Sequence, residues 1–411
     1  MSLTSVCTSD LLMVGLMSGT SLDAMDAALV SIRGSGSRLA LTLHAFSSAP
    51  LPSALRSRIF AACDPRSPVS TQLLCELNVE IGELSAQSVQ TLLSQSGAVS
   101  VAVDAIATHG QTIWHQGLSS SGHPSATLQL GEPSIIAERT GITTIANFRA
   151  RDVAAGGHGA PLTSYLDWVL FRHSTRGRAM QNLGGIGNVT ILPANCSAED
   201  VIAFDTGPAN MLIDAIVRRA TGGRQTFDCD GRLAAQGHIR QDLVEIILHQ
   251  PFFSVSPPRT TGREEFGEQL ADRLWHYGVE CDYPPLDIIA SCTYATARSI
   301  ADSYQRFILP HTHLSECIVS GGGAHNLALL QWLAQLITPI TVKPLTALGF
   351  NPHYKEAIAF AVLGAETLRS VPSTLPNATG ARHASVLGVI CPGENFPALM
   401  RRLYSESSRS L

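Results

Sequence analysis

The order of strand-like and helix-like segments is repeated once along this chain of 411 residues. The first run has strand-like segments in "LLMVGLMSG", "DAALVSIRG" and "RLALTLHAFSSAPL", helical spacing from Thr71 to Ser94, a strand in "VDAIATHGQTIW" and a helix in "EPSIIAERTG". The second run has strands in "AMQNLGGIGNVTILP" and "VIAFD", a helix from about Met211, a long helix in "LDIIASCTYATARSIADSYQRFI", a strand in "ECIVSGGGAHN" and a helix in "LALLQWLAQLI". This alternation predicts an α/β fold with mixed sheets and a cleft between two lobes.

The length of the chain suits two domains of ordinary size. We place the boundary near residue 170, so that 1–170 forms the N-terminal lobe and 171–380 the C-terminal lobe. A final helix at about 380–411 is predicted to cross back to the first lobe.

Composition and charge exclude several classes of protein. A hydrophobic fraction of 45% and a charged fraction of 15% are typical of a globular enzyme, not of a disordered chain. A formal charge of -5 argues against a nucleic-acid binder and a polybasic membrane anchor. Lysine occurs only at Lys343 and Lys355, and no G-x-x-x-x-G-K-[ST] sequence exists, so no P-loop lysine holds a nucleotide.

The cysteines and apolar segments bear on the compartment. Nine cysteines without a C-x-x-C pair indicate neither a zinc site nor a disulfide framework, and they fit free thiols. "LLMVGLM" is short and no basic residue precedes it, and no apolar stretch has the length of a membrane span. We therefore expect a cytoplasmic protein without membrane or nucleic-acid partners.

Four turns rich in small residues each follow an apolar strand-like run: "MSGTS" (17–21), "LGGIGN" (183–188), "DTGPAN" (205–210) and "SGGGAHN" (320–326). Glycine in such a turn lets backbone N–H groups approach an oxyanion without interference from a Cβ atom. Any one of them is equally explained as a tight hairpin. The four together favour a site for the phosphates of a nucleotide.

Carboxylates lie beside these turns. Asp23 and Asp26 follow the first turn, Asp205 opens the third, and Glu356 lies in "YKEAIAFA". Phosphoryl transfer needs Mg²⁺ held by carboxylates and a base for the attacking hydroxyl. Asp205 has apolar neighbours that favour a partly desolvated base, but an Asp that initiates a turn has the same pattern. Glu356 is equally explained as a charge at a helix N-terminus or as part of a surface pair.

Nine segments in order along nearly the whole chain resemble the anhydro-N-acetylmuramic acid kinase family: "GLMSGTSLDAMD", "THGQTIWHQ", "TLQLGEPSIIAERTGI", "FRARDVAAGGHGAPL", "QNLGGIGNVT", "FDTGPAN", "TTGREEF", "SGGGAHN" and "KEAIAFA". The resemblance implies the fold of the actin, hexokinase and Hsp70 superfamily, with two ribonuclease-H-like lobes around a nucleotide cleft. It also implies that ATP and Mg²⁺ serve to phosphorylate O6 of 1,6-anhydro-N-acetylmuramic acid while water opens the anhydro bridge at C1. The product is N-acetylmuramic acid 6-phosphate. A homodimer is compatible with the sequence.

The resemblance assigns roles to individual residues. It makes Asp205 the base that activates water and Glu356 a ligand of Mg²⁺. Arg149 and Arg151 of "FRARD" are candidates for anionic groups, either the sugar's lactyl carboxylate or phosphate. His109 and Gln111 of "HGQT" are candidates for the sugar site, where we expect His109 to be a structural, hydrogen-bonded histidine. The residues expected around ATP are Gly19, Thr20, Ser21, Leu22, Asp23, Ala24, Met25, Asp26, Gly184, Gly185, Asn188, Gly207, Asn210, Gly321, Gly322 and Gly323.

Four positions depart from the usual family motif. Ala24 and Ala209 stand where the motif has glycine, His158 where it has glutamine and Asn147 where it has aspartate. If the two alanines lay at positive φ, each would cost about 1 kcal/mol and place a methyl group near the ligand.

Two alternatives therefore stay open: a levoglucosan kinase, which acts on 1,6-anhydroglucose by the same chemistry, and a non-catalytic sugar or nucleotide sensor. "TLQLGEP" and "TIWHQ" favour the muramic acid enzyme, and the presence of Asp205 and Glu356 favours catalysis.

Overall fold

A computed structural model of the chain describes residues 10–19, 22–64, 67–98, 102–117 and 123–409. It divides into two compact units. Unit 1 comprises Met1–Leu170 and His353–Leu411, and unit 2 comprises Phe171–Pro352. No helix in the described ranges is both long enough and apolar enough to cross a membrane.

The strands, in chain order, are β1 Leu11–Ser18, β2 Ala24–Arg33, β3 Ala40–Pro50, β4 Ala105–Thr108, β5 Gln111–Gln116, β6 Ala126–Leu130, β7 Thr144–Ala146, β8 Arg178–Leu183, β9 Ile186–Leu192, β10 Ile202–Pro208, β11 Glu316–Ser320, β12 Thr341–Pro344 and β13 Val389–Cys391. The α-helices are α1 Ser53–Cys63, α2 Thr71–Ser96, α3 Pro133–Thr140, α4 Phe148–Ala154, α5 Ser164–Phe171, α6 Asn210–Ala220, α7 Gln241–Leu248, α8 Arg263–Phe266, α9 Glu268–Glu280, α10 Pro285–Phe307, α11 Leu327–Leu336, α12 Lys355–Leu368, α13 Pro376–Thr379 and α14 Phe396–Arg409.

The main sheet of unit 1 has the order β13-β7-β4-β1-β2-β3. Strands β1, β2 and β3 form an antiparallel meander, whereas β4 pairs with β1 and with β7 in parallel. A hydrophobic core lies between this sheet and α2, with Val14 and Leu16 of β1 beside Leu77 and Ile81 of α2. Helix α2 begins after Ser70, whose side chain accepts a hydrogen bond from the N–H of Leu73, and it ends at a left-handed glycine.

Helix α12 packs on β1, β2 and β4 from the opposite face of the same sheet. Side chains alternate between the two faces of a strand, so Gly15 faces α12 where its neighbours Val14 and Leu16 face the other core. A Cβ atom on Gly15 would lie 1.9 Å from the carbonyl oxygen of Ala357. The glycine therefore allows the first turn of α12, which carries Glu356, to lie directly against the strand.

The sheet of unit 2 has the order β10-β9-β8-β11-β12. Strands β8, β9 and β10 form an antiparallel meander, and β11 pairs in parallel with β8 and with β12. Unit 1 has the same five-strand pattern in β3-β2-β1-β4-β7, which is that of a ribonuclease-H-like lobe. The predicted α/β class with two mixed-sheet units is confirmed.

Two details differ from the sequence prediction. Residues 353–380 belong to unit 1 and not to the C-terminal lobe, because α12 packs on β1, β2 and β4. The segment "VDAIATHGQTIW" forms two strands in different sheets, because the chain turns at Gly110, whose φ is 72°. The domain boundary predicted near residue 170 lies where the first segment of unit 1, Met1–Leu170, ends.

Candidate active site

The β1–β2 hairpin of unit 1 carries the first predicted phosphate turn. Leu22 has a φ of 56°, and its N–H donates to the carbonyl of Gly19 at 3.2 Å. The side chains of Leu22 and Met25 are buried in the core, so they can offer a ligand only their backbone groups. Asp23 is exposed and forms an ion pair with Arg56 at 3.3 Å. Thr20 and Ser21, predicted for the same turn, lie outside the described residues.

Asp26 and Glu356 are two carboxylates within electrostatic reach of each other. Burial raises the pKa of Asp26, while a hydrogen bond from the Ser48 hydroxyl to Oδ1 at 2.6 Å lowers it. Glu356 has solvent-accessible surface, but the protein atoms packed around its carboxyl group desolvate it and raise its pKa. The charges of Lys355 and Arg149 lower the pKa of Glu356, and that of Asp26 raises it further. Each carboxylate thus becomes easier to ionise when a cation is nearby.

His109 is buried and forms a hydrogen-bonded pair with Arg149. The carbonyl of Gly110 lies 2.8 Å from Nδ1, so Nδ1 carries the proton and donates it. Nε2 then accepts from Nε of Arg149 at 2.9 Å. Burial and the charge of Arg149 hold the pKa of His109 well below its usual range, so the imidazole is neutral. The predicted structural role of His109 agrees with this geometry, in which the ring orients a guanidinium group.

Arg149 donates a second hydrogen bond, from Nη1 to the carbonyl of Gly159 at 2.7 Å. Burial lowers its pKa to about 10, while Glu356 and Asp152 raise it, so the side chain is charged at neutral pH. Arg151 is exposed, and the hydrogen bonds of His109 go to Gly110 and Arg149 instead. Gln111 is buried, and its Oε1 has no hydrogen-bond partner in the described structure.

Helix α4 and the loop after it contact further residues for which the sequence assigned no role. Oδ2 of Asp152 accepts from the N–H of Gly159, and Oδ1 accepts from the hydroxyl of Thr379, both at 2.7 Å. Burial raises the pKa of Asp152 and lowers that of His115 to about 4. His158 donates its N–H to the carbonyl of Thr379 at 2.7 Å. Thr379 lies more than 200 residues from Asp152, so no local pattern could reveal the pairing.

Three glycine turns of unit 2 meet at one end of its sheet. The N–H groups of Ala209 and Asn210 donate to the carbonyls of Gly185 and Gly184 in the β8–β9 turn. The Asn210 amide donates to the carbonyl of Leu183 at 3.0 Å. A Cβ atom on Gly321 would lie 2.7 Å from that carbonyl oxygen, and one on Gly323 would lie 2.7 Å from the Leu183 Cβ. The close approach of the turns therefore requires glycine at both positions.

Asp205 lies on β10 opposite Asn188 of β9, just before an irregularity in the strand pairing. Its Oδ2 accepts from the N–H of Thr261 at 2.9 Å and from the hydroxyl of Thr260 at 3.0 Å. Oδ1 accepts no hydrogen bond from the described residues. Burial raises the pKa of Asp205 to about 6, against the lowering effect of the two threonines. The carboxylate is therefore held through one oxygen, while the other is open to accept a proton near neutral pH.

Gly207, the second-to-last residue of β10, has a φ of 126°, and a Cβ atom there would lie 2.9 Å from the ring of Phe253. Glycine is required on both grounds. Thr260 and Thr261 begin the motif "TTGREEF", and the structure shows that they hold Asp205. The hydroxyl of Thr261 in turn donates to the Glu265 carboxylate.

A cavity of about 470 Å³ adjoins two of these turns within unit 2. Its lining includes Asn210, Gly322, Ile213 and the exposed ring of Phe227, together with the carboxylates of Asp214, Asp228 and Asp230. Its volume lies in the usual range for small-molecule pockets. Burial raises the pKa of Asp214 to about 6. The cavity thus offers an apolar wall with hydrogen-bonding groups beside the glycine turns.

Comparison with known proteins decides the family. A family model described as "Anhydro-N-acetylmuramic acid kinase" matches residues 11–393. An anhydro-N-acetylmuramic acid kinase of Caldanaerobacter subterraneus subsp. tengcongensis is 43% identical over 382 residues, which are 92% of this chain and 96% of that protein. The chain belongs to the anhydro-N-acetylmuramic acid kinase family.

A second relative agrees with this membership. A protein of the same name from Salinibacter ruber is 43% identical over 378 residues, covering 91% of this chain and 94% of that protein. A solved structure, (R)-2-hydroxyglutaryl-CoA dehydratase component A of Acidaminococcus fermentans, gives a TM-score of 0.44 at 11% identity, covering 86% of this chain and 96% of that one. As a member of the kinase family, the chain is a phosphotransferase.

The alanines that depart from the family motif do not lie at positive φ. Ala24 begins strand β2, and Ala209 has a φ of -131°. The expected cost of left-handed alanine is therefore wrong for both, because neither backbone adopts that conformation. Asn147 precedes α4 with a φ of 58°, a conformation that asparagine tolerates better than most residues.

The residues that could hold Mg²⁺ are few. Within the described ranges, no group of three or more His, Cys, Asp or Glu side chains is placed to hold a metal ion. Mg²⁺ in kinases is commonly bound by one or two carboxylates, with phosphate oxygens and waters as the other ligands. Asp26 and Glu356 are two acidic oxygen donors of this kind, and burial raises the pKa of each.

Proposed function

We propose that this chain phosphorylates O6 of 1,6-anhydro-N-acetylmuramic acid with ATP while water opens the anhydro bridge, giving N-acetylmuramic acid 6-phosphate and ADP. Family membership supports the substrate, and the environment of Asp205 supports the chemistry. The observation that carries the mechanism is that Thr260 and Thr261 hold Oδ2 of Asp205 while Oδ1 is open and burial raises the pKa to about 6.

In this reaction the oxygen of water bonds to C1 of the sugar, and its proton passes to Oδ1 of Asp205. The C1–O6 bond breaks, its electron pair stays on O6, and O6 takes the γ-phosphoryl group of ATP. A base whose pKa lies near the working pH is ionised and yet basic enough to take the proton. The carboxylate is already oriented by its two hydrogen bonds, so little ordering is needed during the reaction.

The glycine turns of unit 2 are the candidates for the ATP phosphates. Gly184, Gly185 and Gly321 to Gly323 lack side chains where the backbones of three turns approach one another, which suits contact with an oxyanion. The cavity of about 470 Å³ beside Asn210 and Gly322 suits the nucleoside. Asp26 and Glu356 would hold Mg²⁺, which when bound neutralises phosphate charge.

Arg149 is the candidate for the sugar's lactyl carboxylate. His109 and the carbonyl of Gly159 orient its guanidinium, so it is prepared to bind a planar anion without further ordering. Levoglucosan has no carboxylate, and the same arginine would give it no ionic contact. The Arg149 environment therefore favours the muramic acid sugar over 1,6-anhydroglucose.

The test of the reaction is an ADP-release assay with mass spectrometry of the products on both anhydro sugars. The native protein should turn over 1,6-anhydro-N-acetylmuramic acid faster than levoglucosan. Asp205→Asn keeps the size of the side chain but cannot accept a proton, so turnover should fall by about 10²–10⁴-fold. Asp200→Asn, which changes an exposed aspartate of unit 2, is the matched control and should retain activity.

Faster turnover of levoglucosan would replace the proposed substrate. Near-normal turnover by Asp205→Asn would remove Asp205 as the base. Accumulation of a phosphorylated sugar with its anhydro bridge intact would show that ring opening and phosphorylation are separable steps. A native protein that binds the sugar without releasing ADP would support the non-catalytic sensor.

The role of Arg149 has its own test. Arg149→Gln should raise the KM for 1,6-anhydro-N-acetylmuramic acid by about 10-fold or more, because a charged hydrogen bond of ~1.5–3 kcal/mol is lost. The KM for levoglucosan should change little. An equal rise for both sugars would instead place Arg149 against a phosphate group.

A further inference from the structure

A second cavity, of about 340 Å³, lies in unit 2 among side chains that the proposed reaction does not use. It is lined by the arginines Arg259, Arg298 and Arg306, with Asp302 and the rings of Phe253 and Phe307. Three cationic side chains thus face one carboxylate around a partly apolar pocket. The cavity lining therefore carries an excess of positive charge.

Arg259 is the buried member of this set, with 4% of its surface exposed. It donates from Nη1 to the Val255 carbonyl, from Nη2 to the Ser303 hydroxyl and from Nε to the Asp205 carbonyl, at 2.9–3.0 Å. These bonds use three of its five N–H groups. No carboxylate of the described residues lies within ion-pair distance, so all of its hydrogen-bond partners are neutral.

Aromatic rings complete the surroundings of Arg259. Its guanidinium carbon lies 4.4 Å from the ring centroid of Phe252 and 5.0 Å from that of Phe307. Burial and the charge of Arg306 lower its pKa to about 10, so it is still charged at neutral pH. A buried cation without an anionic partner is costly, and an anion that enters the cavity would offset that cost.

The other two arginines differ in how they are engaged. Arg298 donates to Asp302 at 2.7 Å, so its charge is partly neutralised. Arg306 is more exposed and lies 4.8 Å from the Phe307 ring centroid. Its one hydrogen bond within the described part of the chain goes to the Phe253 carbonyl at 2.8 Å. Arg259 and Arg306 therefore leave N–H groups for a doubly charged oxyanion, and phosphate matches both the charge and the geometry.

The cavity is connected to Asp205 through the backbone. The N–H of Asp205 donates to the carbonyl of Arg259 at 3.1 Å, and Nε of Arg259 donates back to the carbonyl of Asp205 at 3.0 Å. The next two residues, Thr260 and Thr261, hold the Asp205 carboxylate. A single three-residue segment thus lines the cavity at one end and orients the carboxylate at the other.

We propose that this cavity binds a small molecule through its phosphate group and that binding lowers turnover through the Arg259–Asp205 connection. An anion on Arg259 offsets the positive charge that stabilises the ionised carboxylate of Asp205. Ligand and carboxylate are then coupled, and the coupling is reciprocal. The binding site stands independently, whereas the effect on turnover rests on the proposed role of Asp205 as the base.

Binding is tested by calorimetry on the full chain without substrate, with inorganic phosphate and glucose 6-phosphate as separate probes. Arg306→Gln should weaken binding of the tighter probe by about tenfold, the loss of one charged hydrogen bond. Arg224→Gln is the matched control, because Arg224 is an exposed arginine of unit 2 that also donates to a backbone carbonyl, and binding should be unchanged. Arg298→Gln, a second change in the cavity, should also weaken binding.

Tighter binding of glucose 6-phosphate would identify a phosphorylated metabolite, and equal binding would identify free phosphate; both support the site. Absence of binding, or equal affinity in the native protein and both cavity variants, would overturn it. At saturating ATP and sugar, phosphate should lower turnover of the native protein but not that of Arg306→Gln. Unchanged turnover despite binding would refute the coupling, and an inactive protein that binds phosphate would refute only the proposed function.

Discussion

Replacement of Asp205 by asparagine should make the protein more stable at neutral pH as it removes activity. Asparagine has the same shape, and its side-chain oxygen can accept the hydrogen bonds from Thr260 and Thr261 that the carboxylate accepts. It carries no charge, so it avoids the cost of ionising a buried group. The ionised carboxylate of Asp205 would then lower the stability of the folded protein, while its raised pKa suits a general base.

The expected gain in the free energy of unfolding follows from the pKa of Asp205, which burial raises from 3.8 to about 6. At ~1.36 kcal/mol for each pKa unit, ionisation in the folded protein costs up to ~3 kcal/mol more than in the unfolded chain. Imperfect replacement of the carboxylate reduces the gain, and we expect Asp205→Asn to be more stable by about 1–3 kcal/mol at pH 8. For a domain of this size that corresponds to a rise in Tm of ~2–12 °C.

The sign of the pH dependence is fixed by the raised pKa. Below about pH 4 the carboxyl group is protonated in both folded and unfolded chains, so the native protein and Asp205→Asn should have similar stability. As the pH rises from about 4 to about 6, the native protein loses stability relative to the variant, because the carboxyl group ionises in the unfolded chain while burial keeps it protonated in the folded protein. Above about pH 7 the difference should be constant.

The measurement is urea unfolding of the native protein and the variant between pH 4 and pH 8. Asp200→Asn is a control of opposite sign, because hydrogen bonds from the N–H and hydroxyl of Ser197 lower the pKa of Asp200. That variant should be less stable than the native protein at pH 8 and equal to it at low pH. The reasoning would be refuted if Asp205→Asn were no more stable than the native protein at pH 8, or if the difference in stability did not change with pH. Either result would show that burial does not raise the pKa of Asp205.

Two further predictions concern packing and charge in unit 1, the first with a comparison variant in unit 2. Gly15→Ala would place a methyl group 1.9 Å from a backbone oxygen of α12, so it should lower the free energy of unfolding by about 3 kcal/mol or more. The methyl group of Gly184→Ala would meet nothing closer than 3.4 Å, so that variant should lose less than about 1 kcal/mol. Equal losses in urea unfolding would contradict the packing argument. Lys355 and Asp167 form a buried ion pair at 2.6 Å, so Lys355→Met should cost about 3–5 kcal/mol by leaving the carboxylate unpaired, and adding Asp167→Leu should restore much of that loss. A single variant as stable as the native protein would show that the pair is well solvated.

The sequence was informative where a feature depends on nearby residues. Apolar periodicity identified most strands and helices, and the glycine turns follow strands because a strand that reverses direction needs residues that tolerate close packing and positive φ. Gly207 and Gly321 are at such positions, with φ values of 126° and 81°. The ordered series of motifs also pointed to the family that the comparisons established.

The tertiary structure decided what depends on contacts between distant residues. The sequence could not show that α12 belongs to the first unit, because its place is set by packing against β1 across more than 300 residues of chain. Nor could it show that Thr260 and Thr261 hold Asp205, or that Ala209 has an ordinary negative φ. The raised pKa of Asp205 belongs to the same class, because desolvation is produced by all the groups around a carboxylate and not by its neighbours in sequence.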